Sequence, residues 1–197
     1  MDKDSIIDEI MNSTDNKQLI RTLASLKKEF KPTIQSQLWR LNKLCYDLYF
    51  RGKKNLTISL CRLIEEVSFK GNFNIWSPIE STLLLKWWIL KDQQENKNLE
   101  LTINQLMEVS VYEWSDAIKT RINRKVRKRR AQQGTLLNYD KINTAIANKN
   151  KHDEYDYRSI LFSELLFIYF NGGLESKTES ELILEIETNL NKIRALL

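Results

Sequence analysis

The stretch that decides the fold is "SPIESTLLLKWWIL", residues 77–90. Its first four residues have the pattern of a helix start, because serine can cap a helix, proline is tolerated in the first turn, and Glu80 can return a hydrogen bond to the capping residue. The apolar residues that follow cover nearly every direction around a helix. A helix that is apolar on all sides packs against several neighbours. We therefore predict a central helix that begins at Ser77 and buries Leu85 and Ile89.

Apolar residues recur at helical spacing on both sides of this stretch, and no period-two stretch of useful length interrupts them. The 197 residues contain only two prolines and five glycines, which favours long helices over turn-rich strands. The length suits one domain, or at most two small ones that are tightly packed. We predict an all-α fold, built as antiparallel helical hairpins of a tetratricopeptide-like kind or as an irregular helical bundle. A single domain is expected over 1–197, with Leu165 and Ile168 also in its core.

Two hairpin turns share a pattern. "LYFRGKKNLTI" (48–58) and "IYFNGGLES" (168–176) both have an aromatic pair followed two residues later by glycine. The first turn resembles that of a tetratricopeptide repeat: Tyr49 precedes Gly52, and the small residue Thr57 stands where that family usually has alanine. The repeat period of about 34 residues does not persist along the chain. The resemblance therefore implies a hairpin of the helical-repeat type and not a repeat array.

The most strongly charged segment is "KTRINRKVRKRRAQQG", residues 119–134, with eight basic residues within 119–130. The whole chain has 31 basic and 26 acidic residues, so this one segment makes it basic. An apolar stripe leads into the segment and reaches Val126, and Arg129 lies on its extension. Because an arginine in the core without a partner is costly, the packed part is expected to end near Val126. The basic helix end and the loop after it, to about residue 138, are then expected to project past the core.

Three interpretations of the basic segment stay open: a solvated helix end, a surface for an acidic protein, or a surface for nucleic acid. A second candidate contact is the apolar group in "GNFNIWSP" (71–78), which the sequence places in a loop. There the side chains either pack beside the helix start or meet a partner. The candidate partner-binding residues are Arg124, Arg127, Lys128, Arg129, Arg130, Phe73 and Trp76, and the four from Arg127 to Arg130 are predicted to be largely exposed.

Signals of catalysis are absent from the sequence. His152 is the only histidine, so a multi-histidine metal site cannot be built, and its polar setting is typical of a helix cap or a solvated loop. Cys45 and Cys61 lie on the two arms of the first hairpin, where they can approach one another, but they lack a C-x-x-C spacing. Lys177 and Thr178 follow Gly172 and Gly173, but Ser176 stands directly before the lysine where a phosphate loop requires glycine. We predict no enzyme, no catalytic residue, no metal site and no cofactor.

Residues 2–4 are charged, and every apolar stretch is far shorter than the roughly 20 residues that span a bilayer. Two cysteines give no disulfide framework. These features predict a cytoplasmic protein with no membrane partner.

The general character of the chain, together with the region "LYFRGKK…GNFNIW", resembles the small all-helical immunity proteins of bacterial polymorphic-toxin systems. The resemblance implies a one-to-one complex with a cognate toxin, held by complementary shape and charge. An acidic protein would be the partner of the basic segment. The alternative function is a nucleic-acid-associated or regulatory adaptor that binds through 119–130.

Overall fold

The computed structural model describes residues 8–10, 12–13, 16–29, 35–65, 73–111, 118–133 and 154–195, and in these ranges it contains helices and no strand. This confirms the all-α prediction. The helices are α1 (Asn16–Glu29), α2 (Gln35–Phe50), α3 (Lys54–Glu65), α4 (Phe73–Asp92), α5 (Asn96–Val111), α6 (Ile118–Gln132), α7 (Glu154–Phe170) and α8 (Glu179–Ala195).

The chain divides into two compact units, Met1–Asp116 and Ala117–Leu197. A chain of this length was expected to form either one domain or two small ones, and the division corresponds to two small ones. The prediction of one domain over 1–197 stays a prediction, and each unit is described by itself below.

Helix α4 is the centre of the first unit and contacts α2, α3 and α5. Leu85 and Ile89 are completely buried, as predicted for a helix that is apolar on all sides. The predicted start at Ser77 is wrong, because the helix begins at Phe73 and includes Pro78. Pro78 cannot donate to the carbonyl four residues earlier and its ring crowds that carbonyl, but it leaves the other backbone hydrogen bonds of the helix available. The turn before it can therefore stay helical.

Buried polar groups tie α2 to the first half of α4. The Asn42 amide donates to Thr82 Oγ1 at 2.9 Å and to the Pro78 carbonyl at 3.4 Å. The Tyr46 hydroxyl donates to the Ser81 carbonyl at 2.9 Å. Because each buried polar atom in this group has a partner, the contact fixes one register between the two helices.

The two hairpin turns singled out in the sequence have the same hydrogen-bond pattern. After α2, Gly52 N donates to the Tyr49 carbonyl and Lys53 N to the Leu48 carbonyl, both at 2.8 Å. After α7, the two glycines at 172 and 173 repeat the pattern. This is the Schellman cap, which requires a residue with positive φ, and Gly52 has a φ of 75°. The turn after α4 uses the same bonds with the non-glycine residue Gln94, at a φ of 57°.

In the second unit, α7 contacts both α6 and α8. Leu165 and Ile168 are buried in α7, as predicted. Helix α8 begins with a capping box, in which Thr178 N and Thr178 Oγ1 donate to Glu181 Oε2 at 2.6 and 2.8 Å. Helix α7 is thus held on both sides, and it is the surface against which the basic helix α6 packs.

Candidate partner-binding surface

The basic helix α6 is attached to α7 through an arginine that the sequence assigned to the solvent. Arg127 Nε lies 3.2 Å from Glu164 Oε2, and its Nη2 lies 3.0 Å from Glu164 Oε1. The two side chains are 18% and 5% exposed. Two parallel bonds of this kind match the planar fork of a guanidinium to a carboxylate. The prediction that Arg127 is largely exposed is therefore wrong, and the physical reason is its buried acidic partner.

A ring completes this contact. The Arg127 guanidinium carbon lies 3.8 Å from the centroid of the Phe167 ring, nearly one helical turn after Glu164 on α7. Phe167 is 4% exposed. A guanidinium stacked on an aromatic face is held by both dispersion and cation–π attraction. Arg127 thus acts as a packing residue of this unit.

A close backbone approach fixes α6 further along. Ala131, one turn after Arg127, is 1% exposed. A Cβ added to Gly173 would lie 2.2 Å from the Ala131 carbonyl oxygen and 2.7 Å from Ile168 Cγ2. Only glycine leaves room for this contact. The packed face of α6 therefore runs through Arg127 and Ala131.

The apolar stripe does not follow the predicted register. Val126, the expected end of the packed stripe, is 43% exposed. Residues on a helix are 100° apart, so a face centred on Arg127 turns Val126 toward the side. The apolar periodicity of the sequence centred the packed face on Val126, whereas the structure centres it on Arg127, one residue later. The error arose because Val126 is apolar and the sequence alone does not indicate an acidic partner for Arg127.

The opposite face of α6 carries the exposed cations. Lys125 and Arg129 are both exposed and lie two residues before and after Arg127, so each points about 160° away from it. Arg130 is exposed and Lys128 is half-buried. The predicted exposure is confirmed for Arg129 and Arg130. It is wrong for Lys128, which lies 100° from Arg127 and therefore beside the packed face. Arg124 lies in the same helix, and its side chain is outside the described part of the structure.

The second candidate group, Phe73 and Trp76, lies in the first turn of α4 and not in a loop, so the loop prediction is wrong. Their side chains are outside the described part of the structure. Both residues belong to the first unit, and α6 belongs to the second.

Two of the residues weighed for chemistry lie close together in the structure. Cys45 and Cys61 do approach, with their sulfur atoms 3.9 Å apart, and both are free and completely buried. Burial raises the pKa of the Cys45 thiol well above its ordinary value, which keeps it protonated at neutral pH. Among the described residues no cluster of three or more His, Cys, Asp or Glu side chains could hold a metal ion. His152 lies outside them.

The residues that the sequence reasoning missed are charged side chains inside apolar helices. Glu164 is the one acid between Ile160 and Phe170, and Lys86 is the one base between Leu83 and Leu90. Both are about 5% exposed. Charged side chains are rarely buried without a partner, so each isolated charge was a signal that a partner or a site lies beside it.

In the described part of the chain, no helix combines the length and the apolar character that crossing a membrane requires. No curated protein and no solved structure matches the chain significantly. One family model, described as a family of unknown function, matches residues 2–195. Because this match covers nearly the whole chain, the protein belongs to that family, DUF6707.

Proposed function

We propose that this protein is a non-catalytic, cytoplasmic binding module that uses the solvent face of α6 to bind an acidic protein. In its most specific form the proposal is an immunity-type protein of the tetratricopeptide-like, helical-repeat kind, which binds and neutralises a cognate toxin. The observation that carries the proposal is the division of the basic helix into two faces. Arg127 and Ala131 are packed against α7, while Lys125 and Arg129 are exposed on the opposite side.

The packing supports the proposal because it holds the exposed cations in place. A helix fixed by a two-point ion pair and a close glycine contact presents its outer charges in one orientation. Exposed charges of this kind raise the rate of encounter with a partner of opposite sign. They add little to stability, since exposed cations at neighbouring positions repel each other.

The composition of the same face favours a protein over nucleic acid. Val126 is 43% exposed and lies three and four residues before Arg129 and Arg130, so it stands beside both on the helix surface. Protein interfaces combine an apolar contact with arginine-rich polar surroundings. Phosphate binding needs only the cations. An apolar side chain among the cations therefore points to a protein surface.

The experiment is a binding assay with the protein encoded by the neighbouring gene. We expect a one-to-one complex, and in cells we expect protection from growth arrest if that protein is a toxin. The double variant Lys125→Gln/Arg129→Gln should weaken both. Lys97→Gln/Arg21→Gln is a matched control, because it removes two exposed positive charges from the first unit.

The alternative function, a nucleic-acid-associated or regulatory adaptor, makes a different forecast in a second assay. Labelled single-stranded and double-stranded 20-mers would be titrated with the protein at several salt concentrations. If the protein binds nucleic acid, its affinity should fall steeply as the salt concentration rises. The slope of the logarithm of the binding constant against the logarithm of the salt concentration should become shallower by nearly one for each phosphate that a variant no longer neutralises. That result, together with no complex in the first assay, would replace the protein-binding proposal.

A further inference from the structure

The first unit contains a groove that the proposed function does not use. It has a volume of about 230 Å³ and lies where α3, α4 and α5 meet. Sites for drug-sized ligands measure about 300–1,000 Å³, so this groove suits a smaller molecule. Its lining residues are Ile58, Arg62, Lys86, Leu90, Asn98, Leu101 and Gln105.

One side of the groove carries positive charge. Lys86 is 5% exposed in the middle of the apolar helix α4, and burial lowers the pKa of its ammonium group. Arg62, at an exposed position on α3, also lines the groove. Glu95 is near enough to attract the Lys86 charge, and its carboxylate accepts from Asn98 at 2.8 Å. A buried ammonium favours a small anion that can reach it, because the low surrounding polarity strengthens their attraction.

A second feature of the groove is an acceptor without a donor. Gln105 Oε1 is buried, and no hydrogen-bond partner contacts it among the described residues. Leaving a buried acceptor unsatisfied costs free energy, which a ligand bearing an N–H or O–H group would recover. The rest of the lining is mainly aliphatic, contributed by Ile58, Leu90 and Leu101.

We propose that this groove binds a small aliphatic carboxylic acid that also carries a hydrogen-bond donor, the chemistry of a free branched-chain amino acid. The carboxylate would pair with Lys86 and Arg62. The donor would bond to Gln105 Oε1, and the aliphatic group would contact Leu90 and Leu101. The proposal is independent of the surface on α6, which belongs to the other unit.

Three probes separate these parts by calorimetric titration and ligand-observed NMR. L-leucine has all three groups, 4-methylpentanoate lacks the donor, and 3-methylbutylamine lacks the carboxylate. We expect leucine to bind with a Kd of about 1 mM or below. The carboxylate without the donor should bind more weakly, and the amine should not bind. An amine that binds as well as leucine, or no binding by leucine, would overturn the proposal.

Two variants locate the binding in this groove. Lys86→Met removes the ammonium group and fills the same space with an apolar side chain. It should raise the Kd for leucine at least tenfold. Lys97→Met, an exposed lysine outside the groove, is the matched control and should leave the Kd unchanged. Gln105→Leu keeps Lys86 and should weaken the binding of leucine while leaving the binding of 4-methylpentanoate unchanged. Equal binding by the wild type and both groove variants would contradict the assignment.

Discussion

Arg127 on α6 and Glu164 on α7 form a two-point ion pair, with distances of 3.0 and 3.2 Å, whose carboxylate is almost completely buried. Each side chain pairs with a charge that would otherwise lie among apolar neighbours without a partner. The pair also decides which face of the basic helix is packed. The surface proposed to bind a partner is therefore a consequence of a contact on the opposite side of the helix.

The pair should behave as a unit in a double-mutant cycle. Arg127→Met alone leaves the Glu164 carboxylate buried without its cation, and we expect a loss of about 3 kcal/mol in the free energy of unfolding. The double variant Arg127→Met/Glu164→Leu replaces both charges with apolar side chains and should recover most of that loss. Denaturant unfolding of the wild type, the two single variants and the double variant measures the coupling. Additive losses would show that the two charges do not depend on each other.

The capping box of α8 should make stability depend on acid. The backbone N–H of Thr178, and then its hydroxyl, lower the pKa of the Glu181 carboxyl. A carboxyl whose pKa is lower in the folded state stabilises the fold above its unfolded pKa, about 4.3 for glutamate. That contribution is lost as the pH falls through the folded value.

Glu181→Gln keeps an acceptor at this position and removes the titration. The wild type should therefore lose stability relative to this variant between about pH 5 and pH 3. Melting temperatures across this range measure the difference, and Glu175→Gln, an exposed position in the preceding turn, is the control. The prediction would be wrong if the melting temperatures of the wild type and Glu181→Gln fell in parallel as the pH decreased.

Three helices end in the same Schellman cap, with Gly52, Gln94 or Gly172 at the position of positive φ. Introducing a glycine at this position and removing one should change the stability in opposite directions. Gln94 holds a left-handed backbone that glycine adopts without strain, so Gln94→Gly should raise stability by about 0.5–1 kcal/mol. Gly52→Ala should lower it by about 1 kcal/mol, and for conformational reasons alone, because a Cβ there meets no atom within 4 Å. Chemical denaturation would measure both. If Gln94→Gly destabilises the protein, contacts of the glutamine side chain outweigh the backbone strain.

Burial of Lys86 should reduce stability at neutral pH. The folded state lowers the pKa of this ammonium, so above the folded pKa and up to the unfolded value the unfolded chain binds more protons. Stability then rises with pH across that window. Lys86→Met should be more stable than the wild type at pH 7, and its advantage should shrink at alkaline pH. An advantage that stays constant with pH would show that it does not come from the charge.

The sequence was sufficient for the helices and much of the core. Periodicity identified the all-α fold, and the all-round apolar pattern correctly buried Leu85 and Ile89. It also placed Cys45 and Cys61 close together, because both arms of a short hairpin face each other. These predictions depend on local pattern, which a single helix or hairpin already contains.

The site was harder to predict, because it depends on contacts between distant residues. Arg127 looked exposed since its partner, Glu164, lies 37 positions away in sequence. Periodicity gave the face of α6 only to within one residue, and one residue turns a helix by 100°. The start of α4 was placed late for a related reason, since Pro78 is tolerated inside the helix.

The central claim is that Arg127 serves the fold while Lys125 and Arg129 serve binding. The most direct test measures association and dissociation rates with the proposed acidic partner, at low and moderate salt. It compares the wild type, Lys125→Gln/Arg129→Gln and the control Lys97→Gln/Arg21→Gln. We expect the first variant to associate about tenfold more slowly at low salt, with a nearly unchanged dissociation rate and melting temperature, while the control resembles the wild type. An unchanged association rate in Lys125→Gln/Arg129→Gln, or a loss of its stability, would contradict the account.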